Sequence, residues 1–490
     1  MAYSTSLSPA NPHCLPHHPP PIPCSLLITP KISGAEILSI SGTEVPDYPL
    51  SSEPPPASAT SLPSALSTWN TRYLATGGGG FAAGSGDRNL IDPVSQGYAT
   101  SSTDGRLTLN HTLDPQTGEW ALRPDGSYNE DLVINLVYRS IHDTAEISKD
   151  LITQFYGHEA SFSYYSGCSA GGRQGYASVS NYPGDFDGIL ATAPALYAPE
   201  FVTAALWPAL VMRNTETPPF CVFKAYEAAI LVTCDPLDGV KDGLISHHDL
   251  LDSCLFNTST LIGKEVPCPQ LGANSTLHIT VTHAEMVNKI LEGPITPDGE
   301  SLWHGVAPGV SFAGMANTTT LANGTSIAVP FAHAEPWINY EVFFETFNLS
   351  LSRMGSLYGN QALNLTTFAR GKGKVLTWYG LADESIPPLG MVDFRHGIEE
   401  QFGGSRAVDV WFRLFFAPGV AHCRGGYGPS PDDPLNVLVE WVEIGTAPNT
   451  LFAKGVDGEG LDVTRELCLF PQRLVYTGGD VRRASSFVCK

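Results

Sequence analysis

The chain has 490 residues, of which 42% are hydrophobic and 16% are charged, and its formal net charge at neutral pH is −22. This length and composition indicate a globular protein with a large core, organised as two domains, and exclude a disordered chain. The negative charge argues against nucleic acid or an anionic membrane as partner, because both would repel the protein. No stretch of the sequence is apolar over the length needed to span a membrane.

The first 24 residues, rich in Pro, His and Ser, are expected to form a disordered or artefactual leader, and they lack the apolar stretch of a signal peptide. A predicted strand over residues 35–45 is followed by a Pro/Ser-rich segment, residues 46–65, that favours no regular structure. Residues 73–76 form a short predicted strand that runs into a glycine-rich stretch, residues 77–84. Apolar residues at helical spacing then predict a helix from about residue 130 to residue 155.

A serine stands at the tip of a turn of small residues. The predicted strand 162–166 leads into Gly167-Cys168-Ser169-Ala170-Gly171, and a helix is predicted from about residue 173. A strand, a sharp turn with a serine and a helix are the setting of a nucleophile elbow, whose strained turn requires small neighbours. Gly/Ser loops also produce this pentapeptide by chance, and the predicted strand and helix on either side favour the nucleophile.

Residues 201–367 differ in character from the rest, with mixed short elements, and suggest a large insertion over an active site. Within them, residues 234–245 carry aspartates and glycines in one tight loop. Carboxylate oxygens in such a loop suit a calcium ion, although the spacing is not that of an EF-hand. An acidic turn without any metal is an equally good interpretation of the composition, because Asp-Gly turns are common.

Two further candidates follow predicted strands in the last third of the chain. Asp383 comes after the predicted strand 374–380, and His422 comes after a strand predicted over residues 408–416. In open parallel sheets, functional sites form where the strands end. Asp383 can orient the imidazole of His422, or it can simply cap the next helix. Glu384 and Asp409 are rivals for that role, and Asp409 lies in mid-strand in this prediction.

The serine and the histidine each neighbour a cysteine. If Cys168 and Cys423 form a disulfide bond, Ser169 and His422 lie side by side, and a base within hydrogen-bond reach is what a serine hydroxyl needs to become a nucleophile. Ser169, Asp383 and His422 are therefore the predicted catalytic residues.

Ten cysteines, together with several Asn-x-Ser/Thr sequons, favour a secreted glycoprotein over a cytosolic protein with free core thiols. The sequons begin at Asn110, Asn257, Asn274, Asn317, Asn323, Asn348 and Asn364.

The chain resembles the tannase and feruloyl esterase family of fungi and bacteria, whose mark is a Cys-Ser, Asp, His-Cys arrangement. The likeness runs from about residue 25 to the end. Beyond the triad and its cysteines, it rests on residues 69–74 (Trp-Asn-Thr-Arg-Tyr-Leu), 167–175 (Gly-Cys-Ser-Ala-Gly-Gly-Arg-Gln-Gly) and 182–189 (Tyr-Pro-Gly-Asp-Phe-Asp-Gly-Ile). The C-terminal Leu467-Cys468, Tyr476, Gly479-Asp480 and Phe487-Val488-Cys489 also fit.

The resemblance implies an α/β-hydrolase core, residues 25–200 and 368–490, with a large inserted lid domain, residues 201–367. It also implies that calcium is held in the lid, in a structural role, by the side chains of Asp235, Asp238 and Asp242 and the backbone oxygens of Val240 and Leu244. The backbone amides near Ala170 and in residues 77–80 are candidates for the oxyanion hole.

The four lid cysteines allow three pairings, and the sequence does not decide among them. The favoured pairs are Cys234–Cys254 and Cys221–Cys268, with Cys468–Cys489 as a short-range closure near the C-terminus. Cys14 and Cys24 have no evident partner other than each other.

The leading functional hypothesis is a secreted serine esterase that hydrolyses feruloyl and other hydroxycinnamoyl esters of plant cell-wall polysaccharide such as xylan. A tannase that hydrolyses galloyl esters is the alternative within the same chemistry. A hypothesis of another class is a catalytically inactive, calcium-dependent binding glycoprotein. No nucleic acid or membrane partner is expected, and the oligomeric state is not predicted.

Overall fold

The computed structural model describes residues 2–3, 26–31, 36–37, 58–62, 68–84, 88–108, 114–342 and 363–490. Most of the predicted leader, Cys14 and Cys24, and the sequons at Asn110 and Asn348 lie outside these residues, as does most of the strand predicted over residues 35–45. None of the described helices has the length and apolar character that a membrane span requires.

Within the described ranges, the strands are β1 (Ala2–Tyr3), β2 (Glu36–Ile37), β3 (Ser58–Ser61), β4 (Arg72–Thr76), β5 (Ala99–Thr103), β6 (Phe162–Cys168), β7 (Gly188–Thr192), β8 (Glu265–Pro267), β9 (Thr276–His278), β10 (Asn317–Thr320), β11 (Ser326–Val329), β12 (Lys374–Gly380), β13 (Phe412–Ala417), β14 (Ser430–Pro431), β15 (Thr450–Val456), β16 (Asp462–Cys468), β17 (Leu474–Tyr476) and β18 (Phe487–Cys489).

The α-helices are Arg88–Ser95, Glu130–Ile134, Ser140–Tyr156, Ala170–Asn181, Ala198–Ala204, Trp207–Asn214, Cys221–Cys234, Leu250–Ser253, Val281–Glu292, Ala334–Pro336, Thr366–Arg370, Leu389–Phe402, Ser405–Val408 and Pro434–Glu443. A π-helical segment, Asn135–Arg139, joins the second of these to the third.

The chain divides into two compact units. The first comprises Met1–Ala195, Gln361–Leu376 and Leu438–Gly445, and the second comprises Leu196–Asn360, Thr377–Val437 and Thr446–Lys490. This division is by compactness, and the domain boundaries expected from the sequence stay a prediction.

A largely parallel sheet forms the centre of the first unit. Its strands lie in the order β7, β6, β4, β5, β3, and only the edge strand β3 is antiparallel to its neighbour. Every residue of β5 and β7 is buried, as expected for parallel strands with both faces covered. On the other side of β7, β12 begins in this unit, where the Lys374 amide donates to the Asp187 carbonyl.

The helix Ala170–Asn181 packs on this sheet so closely that a glycine is required at the contact. A Cβ on Gly175 would lie 2.9 Å from the ring of Tyr165 and 2.9 Å from a methyl group of Ile189. Tyr165 and Ile189 are fully buried, and the helix residues from Ala170 to Val179 are buried as well. The serine turn therefore leads into a helix that is fixed in the core.

The second unit contains the end of β12 with β13 beside it, and a smaller antiparallel sheet in the order β14, β15, β16. Three disulfide bonds lie in this unit: Cys221–Cys268, Cys234–Cys254 and Cys468–Cys489. These are the three pairs favoured from the sequence.

One element of the second unit differs from its prediction. The strand expected over residues 408–416 begins only at Phe412, because residues 405–408 are helical and Asp409 follows them in a turn. Asp409 forms an ion pair with Arg395 at 2.5 Å. A run of apolar residues does not reveal where a helical turn ends and a strand begins.

Candidate active site

Ser169 occupies the turn between β6 and the helix Ala170–Asn181 in a backbone conformation that non-glycine residues rarely adopt, with φ 61° and ψ −126°. Three backbone hydrogen bonds hold it there. Its amide donates to the carbonyl of Thr192 at 3.0 Å, and its carbonyl accepts from the amides of Arg173 at 3.1 Å and Ala195 at 2.9 Å. Strain of this kind is retained where the surroundings over-determine it, and a nucleophile elbow is one such place.

The glycines around Ser169 are required by close backbone contacts. A Cβ on Gly167 would lie 2.6 Å from the backbone of Gly171, and a Cβ on Gly171 would lie 2.5 Å from the carbonyl oxygen of Gly78. Any side chain at either position would push the turn apart. The Gly-x-Ser-x-Gly pattern predicted from the sequence therefore reflects the packing of the turn, and Ser169 itself is partly exposed.

Residues 77–82, the glycine loop, follow β4 at the edge of the sheet where β6 also ends. β4 and β6 are parallel, and Thr76 pairs in register with Ser166, so the glycine loop and the serine turn leave the sheet side by side. The Gly77 amide donates to the Ser166 carbonyl at 3.0 Å. The predicted oxyanion segment is thus adjacent to the predicted nucleophile within the first unit.

Asp383 and His422 meet in the second unit. The Nδ1 atom of His422 is 2.8 Å from Oδ2 of Asp383, whose side chain is fully buried. The other carboxylate oxygen, Oδ1, accepts from the amides of Ser385 and Ile386, each at 2.9 Å. Asp383 therefore contacts the histidine with one oxygen and closes the following turn with the other. It does not cap the next helix, which begins at Leu389 with Pro388 as its N-cap.

The electrostatics of His422 suit a general base. Burial lowers its pKa, but the hydrogen bond and the charge of Asp383, together with the charge of Glu384, outweigh burial and raise it above its ordinary value. When Nδ1–H donates to Asp383, the lone pair of the neutral imidazole lies on Nε2, and Asp383 stabilises the imidazolium that forms when Nε2 takes a proton.

The rival carboxylates have other partners. Glu384 accepts a hydrogen bond from the backbone amide of His422 at 3.2 Å. It therefore lies beside the histidine, and the ring nitrogen Nδ1 is bonded to Asp383 instead. Asp409 is occupied by Arg395.

Cys168 ends β6, Cys423 follows His422, and both are disulfide-bonded. Cys423, like Ser169, has a positive φ, at 62°.

The residues predicted to bind calcium lie in one tight loop of the second unit. The carboxylate of Asp235 accepts the amides of Asp242 and Gly243 at 3.3 and 3.2 Å, and that of Asp238 accepts the amides of Val240 and Ser246 at 3.2 and 2.8 Å. The side chain of Asp242 is buried and pairs with Arg465 at 2.7 Å.

The charge of this loop is not balanced by its neighbours. Burial raises the pKa of all three aspartates, that of Asp238 to about 7, and the charge of Asp242 raises the pKa values of Asp235 and Asp238 further. Three hard-oxygen side chains with a single arginine beside them fit a divalent cation in type and in charge.

Sequence reasoning missed a second cluster of polar groups. In the part of the chain that the structure describes, His142, Glu146 and Asp185 bring their ligand atoms within 4.8 Å of one another. His142 is 2.9 Å from Asp185 and stacks on Tyr182, with ring centroids 3.6 Å apart. The available signal was the four-residue spacing of His142 and Glu146 on a predicted helix. The His142–Asp185 ion pair explains why these polar groups lie together, so we interpret the cluster as structural.

Comparisons with known proteins identify the family of the chain. The profile of the family described as "Tannase and feruloyl esterase" matches residues 54–331 and 312–490. A probable feruloyl esterase of Arthroderma benhamiae is 39% identical, over 95% of this chain and 93% of its own length. A probable feruloyl esterase B-2 of Neosartorya fischeri is 30% identical, over 83% of this chain and 78% of its own length.

Solved structures show the same fold. The tannin acyl hydrolase from Aspergillus niger superposes with a TM-score of 0.78 at 25% identity and covers 88% of this chain and 83% of its own. Feruloyl esterase B from Aspergillus oryzae gives a TM-score of 0.71 at 27% identity, with coverage of 86% and 85%. The fold is thus an α/β-hydrolase fold, as predicted, and the chain belongs to the tannase and feruloyl esterase family of carboxylic ester hydrolases.

Proposed function

We propose that the chain is a secreted serine carboxylesterase that hydrolyses phenolic esters, with feruloyl and related hydroxycinnamoyl esters of plant cell-wall polysaccharide such as xylan as its substrates. The observation that carries the proposal is the His422–Asp383 contact at 2.8 Å, with both oxygens of the buried carboxylate bonded. The strained Ser169 turn supplies the matching nucleophile. Sequons on the described surface, among them Asn257 and Asn274, support secretion as a glycoprotein.

The mechanism follows from these groups. His422 Nε2 takes the proton of Ser169 Oγ as the oxygen attacks the ester carbonyl, and backbone amides stabilise the tetrahedral oxyanion. The imidazolium then returns the proton to the leaving alcohol, which leaves an acyl-enzyme. A water molecule gives its proton to Nε2 and attacks the acyl group, and the phenolic acid departs as Ser169 recovers its proton. In this proposal Cys168 and Cys423 are bonded to each other and hold Ser169 near His422.

A tannase is the second candidate, favoured by the likeness to the tannin acyl hydrolase from Aspergillus niger. Both substrate classes need the same chemistry at the ester and differ in the phenolic ring and the alcohol. The choice between them depends on side chains around the acyl group.

We further propose that calcium binds at Asp235, Asp238 and Asp242, with the backbone oxygens of Val240 and Leu244 completing the set. The support is the donor chemistry and the excess negative charge of the loop. Bound calcium would neutralise that charge and hold the loop, and it takes no part in ester hydrolysis.

Relative values of kcat/KM for methyl ferulate, methyl gallate and chlorogenic acid test the substrate class. We expect methyl ferulate or chlorogenic acid to exceed methyl gallate by at least about tenfold, a difference of about 1.4 kcal/mol in transition-state binding. A preference for methyl gallate would favour the tannase instead. The matched control is Ser169→Ala, which should lose hydrolysis and also labelling by an aryl phosphonate ester; retained labelling in that variant would contradict the assignment of the nucleophile.

A further inference from the structure

The glycine loop is held by the side-chain amide of a fully buried residue, Gln174, on the helix that follows Ser169. Its Oε1 atom accepts the amide of Gly78 at 3.0 Å. Its Nε2 atom donates to the carbonyls of Ala83 at 3.1 Å and Leu136 at 2.7 Å. Both hydrogens and the oxygen of this amide are therefore used, and only a neutral group that both donates and accepts can make these three bonds.

A second glutamine holds the other end of the loop. Gln116 accepts the amide of Phe81 with Oε1 at 3.0 Å and donates from Nε2 to the carbonyl of Gly79 at 2.9 Å. It thus pairs with the loop backbone as a neighbouring strand would. Unlike Gln174, Gln116 is only partly buried.

The loop and the serine helix are in direct contact, so the position of one sets the position of the other. The hydroxyl of Tyr165 donates to the Gly171 carbonyl at 2.7 Å and lies 3.3 Å from Gln174 Oε1. A Cβ on Gly77 would lie 1.9 Å from that hydroxyl.

The hydrogen bonds of the loop leave two amides for a ligand. Four loop amides are occupied: those of Gly77, bonded to Ser166, of Gly78, bonded to Gln174, of Phe81, bonded to Gln116, and of Ala82, bonded to the Gly79 carbonyl. Among the described residues, the amides of Gly79 and Gly80 have no hydrogen-bond acceptor, and both glycines are partly exposed.

We propose that Gln174 and Gln116 are positioning residues that hold the glycine loop so that the amides of Gly79 and Gly80, with the Ala170 amide at the start of the serine helix, bind the oxyanion. The inference rests on the proposed serine mechanism and adds which amides of the loop act and what holds them. A hydrogen-bond donor displaced by about 1 Å loses much of its stabilising effect on the transition state. The glutamines therefore affect the rate by fixing the position of the donor amides.

The experiment uses the full chain, with Gln116→Met as the first variant. Gln116 is partly exposed, so water can bond the loop groups that lose the glutamine amide, and the variant should still fold. Gln174→Glu is the second variant, which removes donors from the Ala83 and Leu136 carbonyls. The matched control is Gln154→Met, a glutamine of the same unit whose side chain bonds Ile28 and Asp150. For each, kcat and KM are measured on methyl ferulate and on its thionoester, whose sulfur accepts hydrogen bonds poorly.

We expect kcat for the ester to fall about tenfold in Gln116→Met and about 100-fold in Gln174→Glu, with KM within about twofold of its original value. The ratio of ester to thionoester rates should fall in step, because a displaced donor no longer favours oxygen over sulfur. Gln154→Met should match the original protein in both. If Gln174→Glu does not fold, Gln116→Met still decides the question.

An unchanged kcat in a folded Gln116→Met protein would overturn the inference, as would a lower kcat with an unchanged ester to thionoester ratio, since that pattern belongs to a purely structural role. Failure of the proposed function has a different signature: the unsubstituted protein would hydrolyse no phenolic ester and Ser169 would not be labelled. In that case the inference, which depends on the function, would fall as well.

Discussion

The second unit buries aspartate carboxylates in two places, and the two differ in how their charge is compensated. Asp383 bonds two backbone amides with one oxygen and His422 with the other, all at 2.8–2.9 Å. In the loop that begins at Asp235, three carboxylates accept longer amide bonds, mostly of 3.2–3.3 Å, and one of them, Asp242, pairs with Arg465.

The difference shows how one residue type acquires two roles. A buried carboxylate whose oxygens are all bonded is fixed in place and can orient a neighbouring base. Buried carboxylates that outnumber the positive charges beside them have raised pKa values. Binding of protons or of a cation then stabilises the folded protein. The first arrangement suits the positioning of a base, and the second suits a metal ion.

The largest expected effect comes from removing the charge that His422 faces. We expect Asp383→Asn to lower kcat by about 10⁴-fold, because the amide does not stabilise the imidazolium or hold the required tautomer. Steady-state rates on methyl ferulate measure the effect. The matched control is Asp409→Asn, which removes the rival carboxylate and should leave kcat per folded molecule unchanged. A comparable loss of kcat in that control would contradict the role assigned to Asp383.

A smaller but still large effect is expected at the positive charge of the acidic loop. Arg465→Met leaves the buried Asp242 carboxylate unpaired and should lower the free energy of unfolding by about 3–5 kcal/mol, as measured by denaturant titration with calcium removed. The double variant with Asp242→Asn should recover part of that loss, because no unpaired charge remains. A loss below about 1 kcal/mol in the single variant would mean that the pair at 2.7 Å contributes little.

The smallest expected effect is a pH dependence that calcium removes. In calcium-free protein the pKa of Asp238 is about 7 in the folded state, above its ordinary value of 3.8. Between these values the folded state binds more protons than the unfolded state, so the free energy of unfolding falls as the pH rises from about 4 to about 7. We expect Tm to decrease by several degrees over this range in a chelator, and to decrease less with calcium present.

Asp238→Asn is the control for this measurement, because it removes the titrating group and should flatten the decrease in Tm in the chelator. Equal pH dependence of Tm with and without calcium, in both proteins, would contradict the assignment of the loop as a calcium site.

Sequence and structure agree most closely where the decisive contacts are local. The glycines around Ser169, the strand before it and the helix after it follow from the sequence, because a strained turn between packed elements admits few residue types. The acidic loop is local too, since its aspartates lie within eight positions. The strand predicted over residues 408–416 begins later, at Phe412, because residues 405–408 are helical and Asp409 lies in a turn, paired with Arg395 of the helix Leu389–Phe402.

By itself, the sequence determined the residue types of the site, the turn that presents the serine, the family resemblance and the negative charge of the whole chain. Only the tertiary structure decided the partners: which carboxylate faces His422, that Arg465 lies beside Asp242, and that Gln174 and Gln116 hold the glycine loop. The physical reason is distance along the chain. Turn and helix preferences act over a few residues, whereas these contacts join residues 35 to 223 positions apart, which only the packing of the elements brings together.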